Sequence, residues 1–236
     1  MEILMRAMKE LNIKYDEGII QQFETDRKLV LEWNKKVNLT AIREPEAFEI
    51  KHFVDSLLCC VYPAFQRGKR IIDIGTGAGF PGIPLAICFP QKEFVLVDSL
   101  NKRIKILNEI IEALGLSNVT AINGRAEDLA RMEQHREQYD ICLARAVANL
   151  TVLAEYCMPF VKVGGSFGAY KARNTEEEIH GSHRALQLLG GRLETKTTVP
   201  LDGVALEHEI LWIIKTKPIP AKFPRKAGIP EKAPLL

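Results

Sequence analysis

The chain has 236 residues, of which 47% are hydrophobic and 26% charged, and its net charge is only +2. These values are typical of one globular domain of ordinary size, and they exclude both a disordered chain and a protein that is polycationic as a whole. No apolar run approaches the roughly 18 residues of a membrane span, so we expect no membrane association. The five cysteines show no C-x-x-C spacing, which indicates a reduced, cytoplasmic protein without a zinc site.

The first 65 residues are predicted to be helical. Apolar residues at helical spacing predict one helix over 2–11 and a second, longer helix that begins after Asp16. A third helix is expected to follow Pro45, since proline suits the first turn of a helix. We interpret this part of the chain as a helical cap packed on the main domain.

From residue 70 onward, strand-like and helix-like segments alternate. Strands are predicted at about 70–74, 93–97, 118–123, 139–144 and 166–170, and helices near 82–89, 101–115, 149–158 and 174–189. Alternation at this period indicates βαβ units, and therefore a parallel sheet with helices on both faces. Two further strand-like runs, 193–199 and 207–215, follow closely enough to form an antiparallel pair. The α/β fold predicted here has a mostly parallel, seven-stranded sheet.

The end of the chain is basic and rich in proline. Residues 215–232 contain six lysines and arginines against a single acid, Glu231, together with four prolines. Prolines at this density argue against a helix and against a central strand, so we interpret the segment as an extended arm. The predicted division of the chain is an N-terminal cap (1–65), a main domain (66–216) and a C-terminal arm (217–236) that packs on the main domain or extends from it.

The stretch over 70–87 is predicted to bind a nucleotide-like ligand. Four glycines follow its strand-like start, namely Gly75, Gly77, Gly79 and Gly82. A simple turn needs only one or two glycines, so the others indicate a backbone that a ligand approaches closely. Pro81 and Pro84 mark the start of a helix, whose N-terminal N–H groups would suit a carboxylate or a phosphate.

Two kinds of ligand fit these glycines. Gly77-x-Gly79-x-x-Gly82, with Asp98 at the end of the next strand-like run, fits the dinucleotide pattern of an NAD-dependent oxidoreductase. Asp73-x-Gly75-x-Gly77-x-Gly79 instead resembles the first motif of S-adenosylmethionine (SAM) methyltransferases, in which an acidic residue precedes the first glycine by two. Both interpretations place Asp98 on ribose hydroxyls, and the glycines alone leave both open.

Further motifs closely resemble one family. They are Trp33-Asn34 with Asn38-Leu39-Thr40, His52-x-x-Asp55-Ser56, Val97-Asp98-Ser99 with Lys102-Arg103, Gly124-Arg125-Ala126-Glu127-Asp128, Ala144-Arg145-Ala146 and Pro224-Arg225-Lys226-Ala227-Gly228. Together with the glycine loop they resemble the RsmG (GidB) family of small-subunit ribosomal RNA methyltransferases, from about residue 30 to the C-terminus. One departure is Lys171-Ala172, where Lys-Gly is expected after the fifth strand.

The resemblance implies a fold and an activity. The fold is the Rossmann-like class I SAM-dependent methyltransferase fold, with SAM as the cofactor. The activity is methyl transfer to N7 of one guanine in the decoding-region loop of 16S ribosomal RNA. Guanine N7 has a free lone pair and no proton, so no general base is needed and we predict no catalytic residue in the narrow sense.

The resemblance also implies cofactor-binding residues, each with a structural alternative. The set is Gly75, Gly77, Phe80, Asp98, Ala126, Glu127 and Arg145. Asp98 could instead cap the following helix, Glu127 could serve a helix dipole, and Phe80 could staple the helix start. Arg145 could form a structural ion pair with Asp73 or Asp140.

The expected partner is 16S rRNA or a small ribosomal subunit particle, bound by a monomer. The arm residues Lys222, Arg225 and Lys226 are predicted to contact RNA phosphates, the alternative being a solvated arm. Two other functions stay open at this point. An NAD-dependent oxidoreductase would need a proton-relay pair, and no Tyr-x-x-x-Lys is found. A non-catalytic RNA-binding module would bind RNA but not SAM.

Overall fold

Seven strands form a single sheet in the computed structural model, which describes residues 1–145, 148–172, 174–206 and 208–235. They are β1 (Arg70–Ile74), β2 (Glu93–Asp98), β3 (Val119–Asn123), β4 (Tyr139–Arg145), β5 (Val161–Ala172), β6 (Gly191–Thr197) and β7 (His208–Lys215). Their order across the sheet is β3-β2-β1-β4-β5-β7-β6. Strands β1 to β5 are parallel, and β7 runs antiparallel between β5 and β6. The predicted mostly parallel, seven-stranded sheet is confirmed.

The strand order changes direction at β1. It pairs with β2 on one side and with β4 on the other, so β1 lies inside the sheet and is covered on both faces. This position explains its unbroken apolar run, in which Ile71 and Ile72 are fully buried. In open α/β sheets, ligands bind at the carboxyl ends of the strands beside such a switch point.

Helices cover both faces of the sheet. They are α1 (Glu2–Glu10), α2 (Glu17–Asn34), α3 (Pro45–Phe48), α4 (Asp55–Leu57), α5 (Pro63–Arg67), α6 (Gly82–Cys88), α7 (Asn101–Ala113), α8 (Ala126–Leu129), α9 (Leu150–Cys157), α10 (Glu176–Leu188) and α11 (Ile229–Lys232). One face carries α1, α2, α6 and α7, and the other carries α8, α9 and α10. The single helix predicted after Pro45 is a continuous helical stretch over 45–61. Between α3 and α4 it contains a π-helical segment, Glu49–Val54, a form that is rare and frequent at functional sites.

The N-terminal cap shares its hydrophobic core with the sheet. Phe23 from α2 and Phe53 from the π-helical segment are fully buried in the same cluster as Ile71 and Trp212 of the sheet. Burial of this apolar surface holds the cap in place. The division into three units, 1–65, 66–216 and 217–236, stays a prediction.

The C-terminal arm packs against the main domain, which is one of the two arrangements that the sequence analysis allows. Phe223 is buried in the core of the face that carries α9 and α10. Arg136 donates hydrogen bonds to the backbone oxygens of Phe223, Ile219 and Pro220. The arm also contains α11, although its prolines argued against a helix. Pro230 lies in the first turn of α11, where a missing N–H breaks no helical bond.

Two residues named in the sequence analysis have no described structure. Ala146 of the Ala144-Arg145-Ala146 motif and Glu207, the expected first residue of the last strand, lie outside the described residues. All five cysteines are buried and unpaired. Within the described ranges, no helix has both the length and the apolar character needed to span a bilayer.

Candidate functional site

A cavity of about 230 Å³, here called the first cavity, opens at the carboxyl ends of β1, β2 and β3. Its walls are Ile74, Gly75, Val97, Asp98, Ser99, Gly124, Arg125, Ala126, Glu127, Ala148, Tyr156 and Glu231. Four of the predicted cofactor residues lie there, namely Gly75, Asp98, Ala126 and Glu127. Sequence reasoning missed Tyr156 and Glu231, which come from α9 and α11, because nothing local shows that these elements reach the cavity.

The glycine loop between β1 and α6 has the backbone that its glycines suggested. Gly75 and Gly77 have φ angles of 74° and 61°, in the left-handed region that L residues with a side chain rarely adopt. Gly82 has a different task, because a Cβ there would overlap Leu96 of β2. The first two glycines therefore shape the loop, and Gly82 allows α6 to pack closely on the sheet.

The N–H groups at the start of α6 are already used inside the protein, contrary to the expectation that they would bind an anion. The Gly82 N–H donates to Asp73 Oδ2 at 3.1 Å, and the Ile83 N–H donates to the Gly79 oxygen at 2.7 Å. Pro84 has no N–H, and the Leu85 N–H bonds within the helix. This helix start offers no donor for a phosphate among residues 81–85.

Asp73 is a buried carboxylate with one unsatisfied oxygen. Its Oδ2 accepts hydrogen bonds from Thr76 Oγ1 at 2.7 Å and from the Gly82 N–H. Its Oδ1 is buried without a partner among the described residues. Burial raises the pKa of Asp73 to about 6. An orphaned carboxylate oxygen is costly, so a nearby donor or cation would relieve it.

Asp98 serves both the glycine loop and α7. Its Oδ2 accepts from the Gly77 N–H and from Arg103 Nη1, each at 3.1 Å, and its Oδ1 accepts from the Leu100 N–H at 2.9 Å. The capping alternative and the ligand interpretation are therefore compatible. A carboxylate offers about four acceptor positions, and three are filled. At least one position remains for a ligand, and the expectation that Asp98 accepts ribose hydroxyls stays a prediction.

Two carboxylates hold the C-terminal arm beside the first cavity through hydrogen bonds. Glu155 of α9, which is 1% exposed, accepts from Arg225 through Nε at 3.0 Å and through Nη2 at 2.7 Å. Glu127, also buried, accepts the Gly228 N–H at 2.9 Å. These contacts carry α11 and its Glu231 to the cavity wall.

The three arm cations predicted to contact RNA have different surroundings. Lys222 and Lys226 are exposed, and the Lys222 ammonium lies 5.2 Å from the Phe223 ring centre. Arg225 is committed to Glu155 by a charge-assisted, two-point contact. This contact gives Arg225 a structural role, and its contact with RNA stays a prediction.

Arg145, at the end of β4, points away from the first cavity into a second polar cluster. Its Nη1 donates to Asp55 Oδ2 at 2.8 Å and to the Lys51 oxygen at 2.9 Å. The structural ion pair considered from the sequence exists, but the partner is Asp55 and not Asp73 or Asp140. The opposite oxygen of Asp55 bonds to His208 Nδ1 at 2.9 Å.

His52 joins this cluster to the glycine loop. Its ring stacks on Phe80 with centres 4.4 Å apart, and it lies beside Arg145. Burial, together with the Arg145 charge, lowers the pKa of His52 to about 3, so the ring is neutral. Arginine can only donate, hence Nδ1 of His52 accepts from Arg145 and Nε2–H donates to Thr40 Oγ1 at 2.8 Å. Phe80 and Arg145 line no part of the first cavity, so their contact with the cofactor stays a prediction.

Two solved structures with the same fold are methyltransferases. An O-methyltransferase from Bacillus cereus, solved with SAH, has a TM-score of 0.56 and 19% identity, covering 88% of this chain and 95% of its own. A SAM-dependent methyltransferase from Aquifex aeolicus has a TM-score of 0.54 and 14% identity, covering 79% and 98%. The fold is the Rossmann-like fold of SAM-dependent methyltransferases.

Sequence relatives define the family within that class. Residues 19–201 match the GidB family model, described as rRNA small subunit methyltransferase G. Proteins named ribosomal RNA small subunit methyltransferase G from Alkaliphilus metalliredigens and Clostridium tetani are 47% and 45% identical, over 99% of this chain and 98% of each relative. The chain belongs to this family and is a methyltransferase, as its motifs predicted.

Proposed function

We propose that the protein transfers the methyl group of SAM to N7 of one guanine in the decoding-region loop of 16S rRNA. Membership of the family supports the small-subunit rRNA substrate. The acidic first cavity is the observation that supports the methyl donor. The protein is proposed to work as a monomer in the cytoplasm, on 16S rRNA or a small-subunit particle.

The charges around the first cavity suit a cation. Asp98, Glu127 and Glu231 line it together with Arg125, and Asp98 also pairs with Arg103, so three carboxylates face two guanidinium groups. SAM carries a sulfonium and an ammonium group, which carboxylates attract. NAD carries a pyrophosphate, which carboxylates repel and for which the start of α6 provides no donor. The electrostatics therefore favour SAM over the oxidoreductase alternative.

The residues that would hold SAM fit its parts. Asp98 would accept a ribose hydroxyl in a remaining position, and Ala126 with Glu127 would hold the adenine end. The half-buried backbone of Gly75 and Gly77, which carries no side chain, leaves room for the methionine part. The ammonium group is the kind of donor that the unpartnered Oδ1 of Asp73 lacks.

Catalysis of this reaction requires alignment of the reacting atoms and no proton transfer. When bound, SAM supplies a methyl group whose bond to sulfur breaks as the N7 lone pair forms the new bond, so that sulfur keeps the electron pair and the guanine ring takes the positive charge. No proton moves in this step, hence no general base is required. The task of the chain is to hold N7 in line with the methyl group, where orientation alone can contribute several powers of ten.

Two exposed lysines of the arm are proposed to contact RNA phosphates. Lys222 and Lys226 are free of the ion pair that occupies Arg225, and they lie on the segment that closes the first cavity. A backbone contact there would add affinity without reading sequence.

Calorimetric titration with SAM and with NAD tests the methyl donor. We expect saturable binding of SAM and none of NAD. Small ribosomal subunits that lack the modification are then incubated with labelled SAM, and N7-methylguanine is mapped by strand cleavage. Binding of NAD instead of SAM, or label on another atom, would contradict the proposal. RNA binding without SAM binding would favour the non-catalytic alternative.

A further inference from the structure

We propose that a second cavity, next to the glycine loop, holds the acceptor guanine after it has left the RNA stack. This cavity measures about 260 Å³ and is lined by Ile42, Ile50, His52, Arg145, Leu206 and His208, with Lys51, Asp55 and Ala205 at its edges. The inference rests on the proposed function and gives it a place for the substrate base.

The second cavity has the position that a methyl acceptor requires. Arg145 ends β4 and lines this cavity, whereas Ala148, three residues later, lines the first one. His208 opens β7 opposite Ala172, the last residue of β5. Both cavities therefore lie near the carboxyl end of β4. In-line transfer brings the reacting atoms to about 3–3.5 Å, so donor and acceptor sites must adjoin.

A direct contact couples this cavity to the glycine loop. His52, in its wall, stacks on Phe80 of the loop with only 6° between the ring planes. The Arg145 guanidinium lies 5.5 Å from the centre of the same Phe80 ring. A base in the second cavity is thus placed against groups that the glycine loop itself positions.

The lining matches the faces of a nucleobase. Ile42, Ile50 and Leu206 form apolar walls, and unstacked bases are held by apolar, aromatic or guanidinium surfaces. Apolar walls contain no polar group that needs a hydrogen-bond partner, so they can pack against the flat faces of a purine. Enzymes that modify a base extrude it into a pocket of this kind.

The polar end of the cavity matches the edge of guanine that stays free during the reaction. N7 must face the methyl group, which leaves O6 as the neighbouring acceptor. Arg145 is an obligate donor, and His208, bonded to Asp55 through Nδ1, has Nε2 left for a ligand. Asp55 pairs with both groups and fixes their direction. Arg145 would therefore donate to O6. Because His208 donates its Nδ1–H to Asp55, its Nε2 is an acceptor, and it would accept from the N1–H group beside O6. Together these two groups would set the orientation of the ring.

Filling the second cavity tests the inference. Ala205 is exposed at its rim, so Ala205→Trp places an indole there without removing a buried contact. We expect unchanged SAM affinity by calorimetry and a loss of about 100-fold in methyl transfer to small subunits, the scale of a misplaced acceptor. Ala113→Trp is the matched control, because Ala113 is an exposed residue of α7 that lines neither cavity. It should transfer methyl groups as the wild type does.

A second readout follows the base itself. 2-Aminopurine is placed beside the acceptor guanine in an RNA fragment of the decoding-region loop, where its fluorescence rises when its neighbour leaves the stack. Wild type and Ala113→Trp should raise the fluorescence, and Ala205→Trp should not. His208→Asn, whose amide N–H can still donate to Asp55 from the position of Nδ1 but which lacks Nε2, should lower kcat/KM for the RNA by about tenfold, the scale of one hydrogen bond.

The outcomes separate this inference from the proposed function. Wild-type transfer and fluorescence in a folded Ala205→Trp protein would overturn the inference and leave the proposed function standing. Methyl transfer by the wild type to a different atom or nucleotide would overturn the proposed function. The second cavity would then still be judged by whether Ala205→Trp abolishes that transfer.

Discussion

At the scale of single residues, Asp98 connects the cofactor to the loop that surrounds it. Asp98→Ala removes the acceptor for a ribose hydroxyl and releases the Gly77 N–H and Arg103. We expect the free energy of SAM binding to weaken by about 1.5–3 kcal/mol, the range for hydrogen bonds to a charged group. Calorimetry measures the change. Asp128→Ala, at an exposed carboxylate of α8 outside the first cavity, should bind SAM normally. Equal affinities for the two variants would contradict this role.

Asp26 makes stability depend on pH. This carboxyl group of α2 is fully buried without a partner among the described residues, and burial raises its pKa from near 4 to about 8. Between these values the folded protein holds a proton that the unfolded chain has released. Stability therefore falls as the pH rises from about 4 to about 8.

Asp26→Asn tests this dependence, because its amide is neutral at every pH. Denaturant unfolding of wild type and variant at several pH values between 5 and 8 gives the difference in free energy of unfolding. The difference cancels other titrating groups, among them Asp73 and His52. We expect the variant to gain stability relative to wild type as the pH rises. A constant difference across the range would show that Asp26 is not protonated in the folded state.

At the scale of elements, the arm is the segment whose place depends most on one contact. Arg225→Ala leaves Glu155 charged and buried without its partner, a change that costs about 3–5 kcal/mol in buried pairs. Because Arg225 is itself partly exposed, we expect the lower end of that range. Thermal unfolding measures the loss, and Lys226→Ala, at the next, exposed residue, is the control. A wild-type melting temperature for Arg225→Ala would mean that the contact does not anchor the arm.

The elements were largely predictable, whereas their partners were not. The strands from β1 to β4 follow from short apolar runs, and Asp98 and Glu127 follow from motifs at strand ends. The ion pair of Arg145 with Asp55 joins residues 90 positions apart. The bond from Gly228 to Glu127 spans 101 positions. Local periodicity contains no information about such pairs, so the second cluster and the folded-back arm appeared only with the tertiary structure.

Secondary-structure errors had local causes. The helix over 45–61 keeps an apolar face throughout, so the sequence did not reveal the π-helical segment inside it. The number of prolines in the arm argued against any helix there. Pro230 nevertheless lies in the first turn of α11, the one helical turn that tolerates proline. The glycine-loop prediction of free N–H groups failed because Asp73 lies two residues before the first glycine and folds back onto Gly82.

At the scale of the whole molecule, a net charge of only +2 means that RNA affinity depends on where the cations lie. The double variant Lys222→Ala/Lys226→Ala should bind SAM normally and bind RNA more weakly. Its plot of log K against log salt should be shallower by up to about two units, roughly one for each phosphate contact.

A matched loss of charge elsewhere controls this experiment. Lys9→Ala/Lys105→Ala removes the same two charges from exposed positions of α1 and α7. If overall charge alone governed RNA binding, both double variants would change the slope alike. Superimposable slopes for wild type and the arm variant would remove the arm from the RNA interface.

The contacts that hold the C-terminal arm against the protein also have a genetic consequence. A stop codon at position 225 would leave every strand and the whole glycine loop intact, and the shortened product would still contain most of the family's motifs. It would nevertheless lose the partner of Glu155, the Gly228 N–H that Glu127 accepts, and the Glu231 wall of the first cavity. Late truncating alleles should therefore behave as loss-of-function alleles.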